Sequence, residues 1–409
     1  MKARNAAPEH LEAAAESAWR TVWQRFYDDR TALFYDFVSS YDEAHRFDHL
    51  PHPEEIARRV PNPNGWGTGM EDSTITGGVM LAAVCDRCAA GGDPEVLRPE
   101  AERIFEGLRR CGTASPASGM VLRSISPRDG SSHYPETSRD QLTHYAHGIW
   151  RFHHSPLSSE PQRAVMRDLL EALCQRLEQR IVPEHGFHFG METGEPGLVD
   201  TLWQVPPHEV ARLPMIYAIG WDLTGNERWR QLCCDYAPAA LKLGESLRPE
   251  TYEWCYPLFQ HQISLEVLAS LAEPDEAALW RKQMKQLALC ISRYTCRMQD
   301  YRPVDVTAVD MDWRTRPCRP EYRNSPYGEV AEWPPAMLHH EFRPLRELGE
   351  ALLIKLMGEN LPLGDDDQDL LAQALTDVDY GKAFTCGMVY PQAAYWRHRA
   401  NLAKSRTES

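Results

Sequence analysis

Two groups of polar residues in this sequence stand where a predicted helix begins. The first is Glu71 and Asp72, which follow the glycine-rich run GWGTGM at 65–70 that contains Trp66. Glycines let the backbone turn tightly, and acids at a helix N-terminus interact favourably with the helix dipole. A simple N-cap is one interpretation of Asp72, because Asp is common at that position. The neighbouring tryptophan and glycines indicate instead a catalytic or substrate-binding role.

The second group is HYPETSRDQ at 133–141, which contains His133, Tyr134, Arg139 and Asp140. Arg139 and Asp140 fall in the first turn of the helix that follows. A cation there opposes the helix dipole, which is costly unless an anion lies nearby. A surface ion pair between Arg139 and Asp140 is the alternative. We favour a functional site.

A third glycine-rich stretch combines histidines with acids. The run HGFHFG at 185–190 contains His188, and Glu192 and Asp200 follow it. Two histidines and two acids can suggest a metal site, but the helical HExxH motif of zinc proteases does not occur. Substrate binding or a structural role is therefore favoured for His188. We expect neither a metal nor a cofactor.

Aromatic and cationic residues accumulate in two further stretches. Trp254 stands in YEWCY at 252–256, and the loop 310–335 has four arginines, among them Arg323, together with Trp333. A guanidinium group binds a carboxylate through two parallel hydrogen bonds. Aromatic rings can stack on sugar faces, although core packing accounts for most of them in any protein. A solvated loop whose arginines offset the acid excess is the alternative for 310–335.

The composition limits the class of function. The 409 residues have a formal net charge of −15, whereas nucleic-acid binding requires clustered Lys and Arg. No run of 18 apolar residues occurs and the N-terminus does not resemble a secretory signal, so we expect no membrane partner. Eleven cysteines in such a chain indicate reduced thiols and a cytoplasmic location. Cys85 and Cys88 are spaced like zinc ligands, but no second pair accompanies them.

Apolar residues spaced by three and four predict about a dozen helices and a mainly α chain. The predicted helices cover 8–29, 72–90, 97–111, 139–153, 160–182, 207–223, 227–244, 256–272, 275–298, 335–357, 366–375 and 387–402. Pro99 is expected in the first turn of its helix, and Ser138 with Gln141 predicts a capping box. Weak strand signals occur near 121–125 and 187–189.

Short and long connections alternate between these helices. The short ones are 90–97, 153–160, 223–227 and 272–275, and the long ones are 111–138, 182–207, 244–256 and 298–335. This alternation predicts helical hairpins that lie side by side, with all long loops at one end. We predict six hairpins closed into an all-α (α/α)6 toroid, a single domain over 1–409. A superhelical repeat array is the alternative, but no side-chain signature repeats at a fixed period. Converging helix N-termini would favour an anionic ligand.

Part of the chain is similar to a known enzyme family. The run MEDSTITGGVMLAAVCDRCAAGGD at 70–93 resembles the segment of unsaturated glucuronyl hydrolases in which a catalytic Asp opens an inner helix. The residues from Ser138 to Gln141, with His147-Gly148, resemble that family's Arg-Gly-Gln and Tyr-Gly stretch. The likeness covers about 65–160 and implies that Asp72 is a general acid/base. The chain departs from the family at Asp140, where the family has Gly, and in lacking its upstream Asp-His-Asp.

These observations lead to one functional hypothesis, a glycoside hydrolase that acts on short, uronate-containing oligosaccharides. Two carboxylates would divide the acid and base roles. The candidates are Asp72 and Asp140, with Glu71 as the substitute for either. Arg139 and Arg323 would bind the sugar carboxylate. The remaining substrate-binding candidates are Trp66, His133, Tyr134, His188, Trp254 and Trp333.

Three alternatives stay open. A polysaccharide lyase on the same toroid would need a base such as His133, Tyr134 or His188 and a cation such as Arg139 to neutralise the carboxylate. A sugar epimerase of this architecture would use a pair of histidines. A helical interaction scaffold would use the same loops as a protein-binding surface.

Overall fold

A computed structural model describes residues 8–315, 318–319, 330–331, 336–359 and 362–407. Fourteen α-helices make up most of these residues, which confirms the all-α prediction. The helices are α1 Pro8–Phe26, α2 Pro53–Ala57, α3 Ser73–Ala89, α4 Pro94–Thr113, α5 Arg139–His153, α6 Glu160–Arg180, α7 Arg212–Thr224, α8 Glu227–Gly244, α9 Tyr256–Leu271, α10 Pro274–Cys290, α11 Ser292–Thr295, α12 Ala336–Glu359, α13 Asp365–Thr376 and α14 Val389–Thr407. Two antiparallel pairs of short strands accompany them: β1 Tyr27–Asp28 with β2 Leu33–Phe34, and β3 Cys318–Arg319 with β4 Val330–Ala331.

Local capping residues explain several helix ends. The side chain of Asp93 accepts a hydrogen bond from the Glu95 amide (2.9 Å), so α4 begins at Pro94 and Pro99 lies inside the helix rather than in its first turn. Gly225 adopts φ 69°, a left-handed conformation that suits glycine, and ends α7. The ranges 139–153 and 227–244 agree with the prediction.

Other local predictions were wrong. The helix predicted at 275–298 ends at Cys290 and is followed by α11 and a 3-10 turn. Neither predicted strand forms; at 187–189 only His188 makes an isolated bridge, with Thr201. Both segments are anchored by side-chain contacts and turns within the long connections instead of by a regular strand ladder.

Short and long connections alternate in the structure as they do in the prediction. The short ones are 90–93, 154–159, 225–226 and 272–273; the long ones are 58–72, 114–138, 181–211, 245–255, 291–335 and 377–388. The helices that follow long connections pack against each other in chain order. Thus α3 packs on α5, α5 on α7, α7 on α9, α9 on α12 and α12 on α14, and α14 also packs on α3.

Two apolar clusters support this arrangement. The larger one runs from Ala15 in α1 to Trp396 in α14. The smaller one lies under the long connections and includes Tyr35, Ile125 and Tyr134. Among the residues that the structure describes, no helix is both long enough and apolar enough to cross a bilayer.

Helices α3 and α5 approach each other closely through glycine. A Cβ atom on Gly78 would collide with the backbone carbonyl of His144, and one on Gly148 would lie 2.8 Å from the Gly78 Cα. The backbones therefore touch without intervening side chains. This contact fixes the start of α3 relative to the start of α5, where the predicted acids lie.

Candidate active site

Side chains from the N-terminal parts of five helices and from the middle of α12 meet in one polar cluster. Each helix follows a long connection, so its N-terminal part lies among the long loops. The residues are Asp72 before α3, Asp140 in α5, Arg212 in α7, Tyr256 and Gln260 in α9, Arg346 in α12 and Tyr390 in α14. Contacts between neighbouring helices connect most of this set.

Asp72 is the N-cap residue of α3, but its side chain does not cap the helix. Its carboxylate instead accepts a hydrogen bond from the Gln141 side chain (3.2 Å), and it is partly exposed. Burial raises the pKa of Asp72, and the nearby cations Arg346 and Arg123 offset this only in part. A carboxyl group with a raised pKa is suited to donate a proton.

Glu71 and Asp36 form a buried acidic layer behind Asp72. The Asp36 carboxylate accepts hydrogen bonds from the backbone amides of Glu71 (2.8 Å) and Asp72 (3.2 Å). Glu71 itself accepts one from the Gly67 amide (3.2 Å). Burial, together with repulsion between the neighbouring acids, raises the pKa of both Asp36 and Glu71 well above the usual range. These two acids therefore hold Asp72 in place and are themselves largely shielded from solvent.

Asp140 has the opposite electrostatic setting. It forms an ion pair with Arg212, which is fully buried and also donates to the side-chain amide oxygen of Gln260 (2.7 Å). Burial alone would raise the pKa of Asp140, but Arg212 outweighs it, and the pKa is lowered. Asp140 is therefore ionised at neutral pH, and 29% of its side chain remains exposed.

Gln141 links the two acids. Its backbone amide donates to the Ser138 hydroxyl (3.3 Å), so Ser138 caps α5 as predicted. The predicted return bond of a capping box is absent, because the Gln141 side chain donates to the Glu71 carbonyl (2.8 Å) and to Asp72. This side chain therefore joins the beginning of α5 to the beginning of α3.

Three of the predicted binding residues already have protein partners. Arg139 pairs with Glu209 (2.5 Å) and donates to the Thr201 carbonyl (3.3 Å). His133 contacts Glu192 (3.2 Å). The partly exposed indole of Trp66 lies 5.7 Å from the guanidinium of Arg123.

The remaining predicted residues lie in other settings. Tyr134 is buried in the smaller apolar cluster, and its hydroxyl donates to the Val60 carbonyl (2.5 Å), so we leave it out of the proposed site. His188 pairs through Nδ1 with the buried Asp200. The ring of Trp254 is covered by arginines, among them Arg343. Arg323 and Trp333 fall outside the described residues.

Several residues of the cluster were not found from the sequence. Asp36 stands within the apolar run LFYDFV at 33–38, and an acid in such a run is a signal that could have indicated a buried functional group. Arg212 likewise opens an apolar helix. Arg346 carries no comparable signal, because α12 contains several arginines.

Within the described part of the chain, no group of three or more His, Cys, Asp or Glu side chains is arranged to hold a metal ion. The acids of the cluster are instead balanced by arginines and backbone amides. No known protein family matches this chain, and no curated protein is significantly similar to it. The assignment of a function therefore depends on the geometry and electrostatics of the cluster.

Proposed function

We propose that this protein is a glycoside hydrolase that releases a uronic acid from short acidic oligosaccharides. One observation carries the proposal. Asp72 and Asp140 lie before and within adjacent helices, and their pKa values are shifted in opposite directions. Pairs of carboxyl groups whose environments separate their pKa values divide acid and base roles in glycosidases.

In this mechanism Asp72 is the general acid. It donates its proton to the glycosidic oxygen as the bond to the leaving sugar breaks. Asp140 remains a carboxylate because of Arg212, and it acts on the anomeric carbon, either directly or through a water molecule. Gln141, the residue after Asp140, holds the Asp72 carboxyl group in position through a hydrogen bond from its side chain.

The surrounding residues support a sugar as the substrate. The partly exposed ring of Tyr256 lies beside Asp140, and Trp66 offers a second partly exposed face. Such rings stack on the apolar faces of sugars. The arginines of the cluster, together with helix N-termini, favour a substrate that carries negative charge.

We also propose that the fold is the six-hairpin (α/α)6 toroid. The packing order of α3, α5, α7, α9, α12 and α14, with the return from α14 to α3, supports a closed inner ring. The ten cysteines whose side chains the structure describes are all free thiols, which supports a reducing compartment such as the cytoplasm.

The first experiment compares Asp72→Asn and Asp140→Asn with wild type on a panel of uronate oligosaccharides, both saturated and 4,5-unsaturated. We expect each substitution to lower kcat by about 10³-fold or more with folding intact, because each removes a group that acts in the transition state. Asp222→Asn is the control, since Asp222 binds Trp150 (3.0 Å) and His154 away from the cluster. Unchanged turnover in Asp72→Asn would exclude the mechanism.

The same panel distinguishes the other enzyme classes. Released uronate without a change in near-ultraviolet absorbance indicates an ordinary glycosidase, and loss of absorbance from the unsaturated substrate indicates a glucuronyl hydrolase type. A gain of absorbance from the saturated substrate would identify a lyase and contradict the proposal. The lyase is less favoured, because two of its candidate bases, Tyr134 and His133, are already bound to Val60 and Glu192.

A further inference from the structure

Arg346 differs from the other arginines of the cluster in how its guanidinium group is held. Its Nε donates to the buried Glu350 (2.8 Å). Its planar group lies 4.8 Å from the ring centre of Tyr390 and 5.9 Å from that of Tyr256. Two rings and one carboxylate therefore fix the orientation of the group before any ligand binds. A preorganised guanidinium loses little conformational entropy on binding.

The two terminal nitrogens of Arg346 donate no hydrogen bond to any residue that the structure describes. The side chain is 23% exposed, so this end of the group is open to a ligand. The other arginines of the cluster are engaged: Arg212 with Asp140 and Gln260, and Arg123 with the Glu71 carbonyl and Asn64. Arg139 likewise holds Glu209.

We propose that Arg346 binds the carboxylate of the uronic acid residue whose glycosidic bond is cleaved. The inference rests on the proposed function and names its specificity-determining residue. A guanidinium with both terminal N–H groups available forms two parallel hydrogen bonds with a planar carboxylate. Arg346 therefore takes the role that the sequence suggested for Arg139 and Arg323.

The position of Arg346 also connects binding to catalysis. Its positive charge acts on Asp72 and lowers the pKa of that carboxyl group. A substrate carboxylate on Arg346 neutralises this charge. The protonated form of Asp72 is then favoured in the complex, because one of the cations that opposed it has been compensated. An acidic substrate would thus promote the protonation of the general acid.

The test compares aryl glucuronide and aryl glucoside substrates, which differ in the carboxylate. Wild type is expected to prefer the glucuronide. Arg346→Gln should lower kcat/KM for the glucuronide by about 100-fold more than kcat/KM for the glucoside, because both substrates experience the changed environment of Asp72 but only the glucuronide loses a charged pair. Arg346→Lys keeps the charge without the two parallel hydrogen bonds. Its kcat/KM for the glucuronide should lie between those of wild type and Arg346→Gln.

Arg399 provides a matched control. It also pairs with a glutamate, Glu12 (2.9 Å), and lies over a tyrosine ring, Tyr395 (5.8 Å), but it is on the side of α14 that faces α1. Arg399→Gln should leave the preference for the glucuronide unchanged. An equal loss in Arg399→Gln and Arg346→Gln would overturn the proposal, because it would indicate a general effect of removing a stacked arginine.

Calorimetric titration with D-glucuronate and its methyl ester gives a readout independent of turnover. Wild type should bind the free acid more tightly than the ester, and Arg346→Gln should abolish the difference. If no substrate is hydrolysed but this difference persists, the proposed hydrolase fails and the carboxylate site stands. Equal binding of acid and ester by wild type would overturn the inference, as would an undiminished difference in Arg346→Lys and Arg346→Gln.

Discussion

At the scale of single residues, burial raises the pKa of one acid of the cluster, whereas a buried cation lowers the pKa of another. Asp72 shares its surroundings with Glu71 and Asp36, whereas Asp140 is paired with Arg212. The local charges therefore assign different protonation states to two side chains of the same type. This difference determines the pH dependence of the proposed reaction.

We predict a bell-shaped dependence of kcat/KM on pH. Activity should fall above the pKa of Asp72, which lies above the ordinary value of 3.8, because the acid loses its proton. It should fall below the pKa of Asp140, which lies under 3.8, because the carboxylate gains one. Arg212→Lys and Arg212→Met should shift the acidic limb of the profile to higher pH, because the cation that stabilises the Asp140 carboxylate is weakened or lost. The shift should be about one pH unit or more in Arg212→Met.

Arg176→Met is the control for this profile. Arg176 is a partly buried arginine that donates to the carbonyls of Gly190 (3.1 Å) and Met191 (2.9 Å) and does not pair with either proposed catalytic acid. The acidic limb of the pH profile of Arg176→Met should coincide with that of wild type. If Arg212→Met also leaves the acidic limb in place, Asp140 is not the group that must be ionised.

At the scale of helices, the sequence predicted which helices form and how they are connected. It did not predict the side-chain contacts between them. The alternation of short and long connections followed from turn residues and apolar spacing, and the structure has it. The range of α5 was predicted from Ser138, because a cap is a local interaction. The partner of the Gln141 side chain could not be predicted in this way, since it lies across the interface with α3 and depends on how the two helices pack.

The same distinction applies to the site. Asp72, Asp140 and Trp66 stand in stretches whose composition is unusual, so they could be recognised. Arg212 opens an apolar helix, which is a signal in the sequence, but its pairing with Asp140 and the role of Arg346 arise only when helices that are distant in the chain become neighbours. The ring of Tyr134 was assigned to the site because it stood in a polar motif, yet a polar motif also contains the residues that anchor its loop.

The contact between α3 and α5 gives a prediction at this scale. Gly78→Ala should lower the free energy of unfolding by about 2 kcal/mol or more, because the new Cβ meets the His144 backbone, which cannot move aside cheaply. Gly77→Ala is the control, since its Cβ would meet only the Leu108 side chain (3.0 Å). Its free energy of unfolding should stay within about 1 kcal/mol of that of wild type. Urea unfolding measures both. Equal stability of the two variants would show that α3 and α5 can separate without cost.

At the scale of the whole molecule, the helices are also joined by a charged network at the ends opposite the candidate site. Glu266 in α9 contacts His147 in α5 (3.0 Å) and Arg397 in α14. Asp86 in α3 contacts Arg397 (3.5 Å) and Arg151 (2.6 Å). Four helices are thereby connected by ion pairs that are almost fully buried, where removing one partner is costly.

Buried histidines give the stability of the molecule a defined response to acid. Burial lowers the pKa of His49 from its ordinary 6.5 to about 3, with Arg314 and Arg128 adding to the effect. The unfolded chain therefore binds a proton below pH 6.5 that the folded chain excludes. The contribution of His49 to stability is fully present above pH 6.5 and is lost as the pH falls toward 3.

We predict that His49→Gln becomes progressively more stable relative to wild type below pH 6.5, by up to about 1.4 kcal/mol per pH unit. The measurement is the difference in unfolding free energy between the two proteins from pH 7.5 to 5. The exposed His45 is the control, because Asp48 raises its pKa and His45→Gln should change in the opposite direction. A difference that is constant with pH would mean that the pKa of His49 is the same in the folded and the unfolded chain.

The packing of α14 against α3 has a consequence for how this protein is made. A ribosome synthesises α3 (Ser73–Ala89) long before α14 (Val389–Thr407), and at about 5–20 residues per second the interval is on the order of tens of seconds. During that time the side of α3 that α14 will cover has no partner. Tyr390 is also missing, so the polar cluster around Asp72 is incomplete. The proposed site therefore cannot form until α14 has been synthesised, even though α3 and α5 are made much earlier.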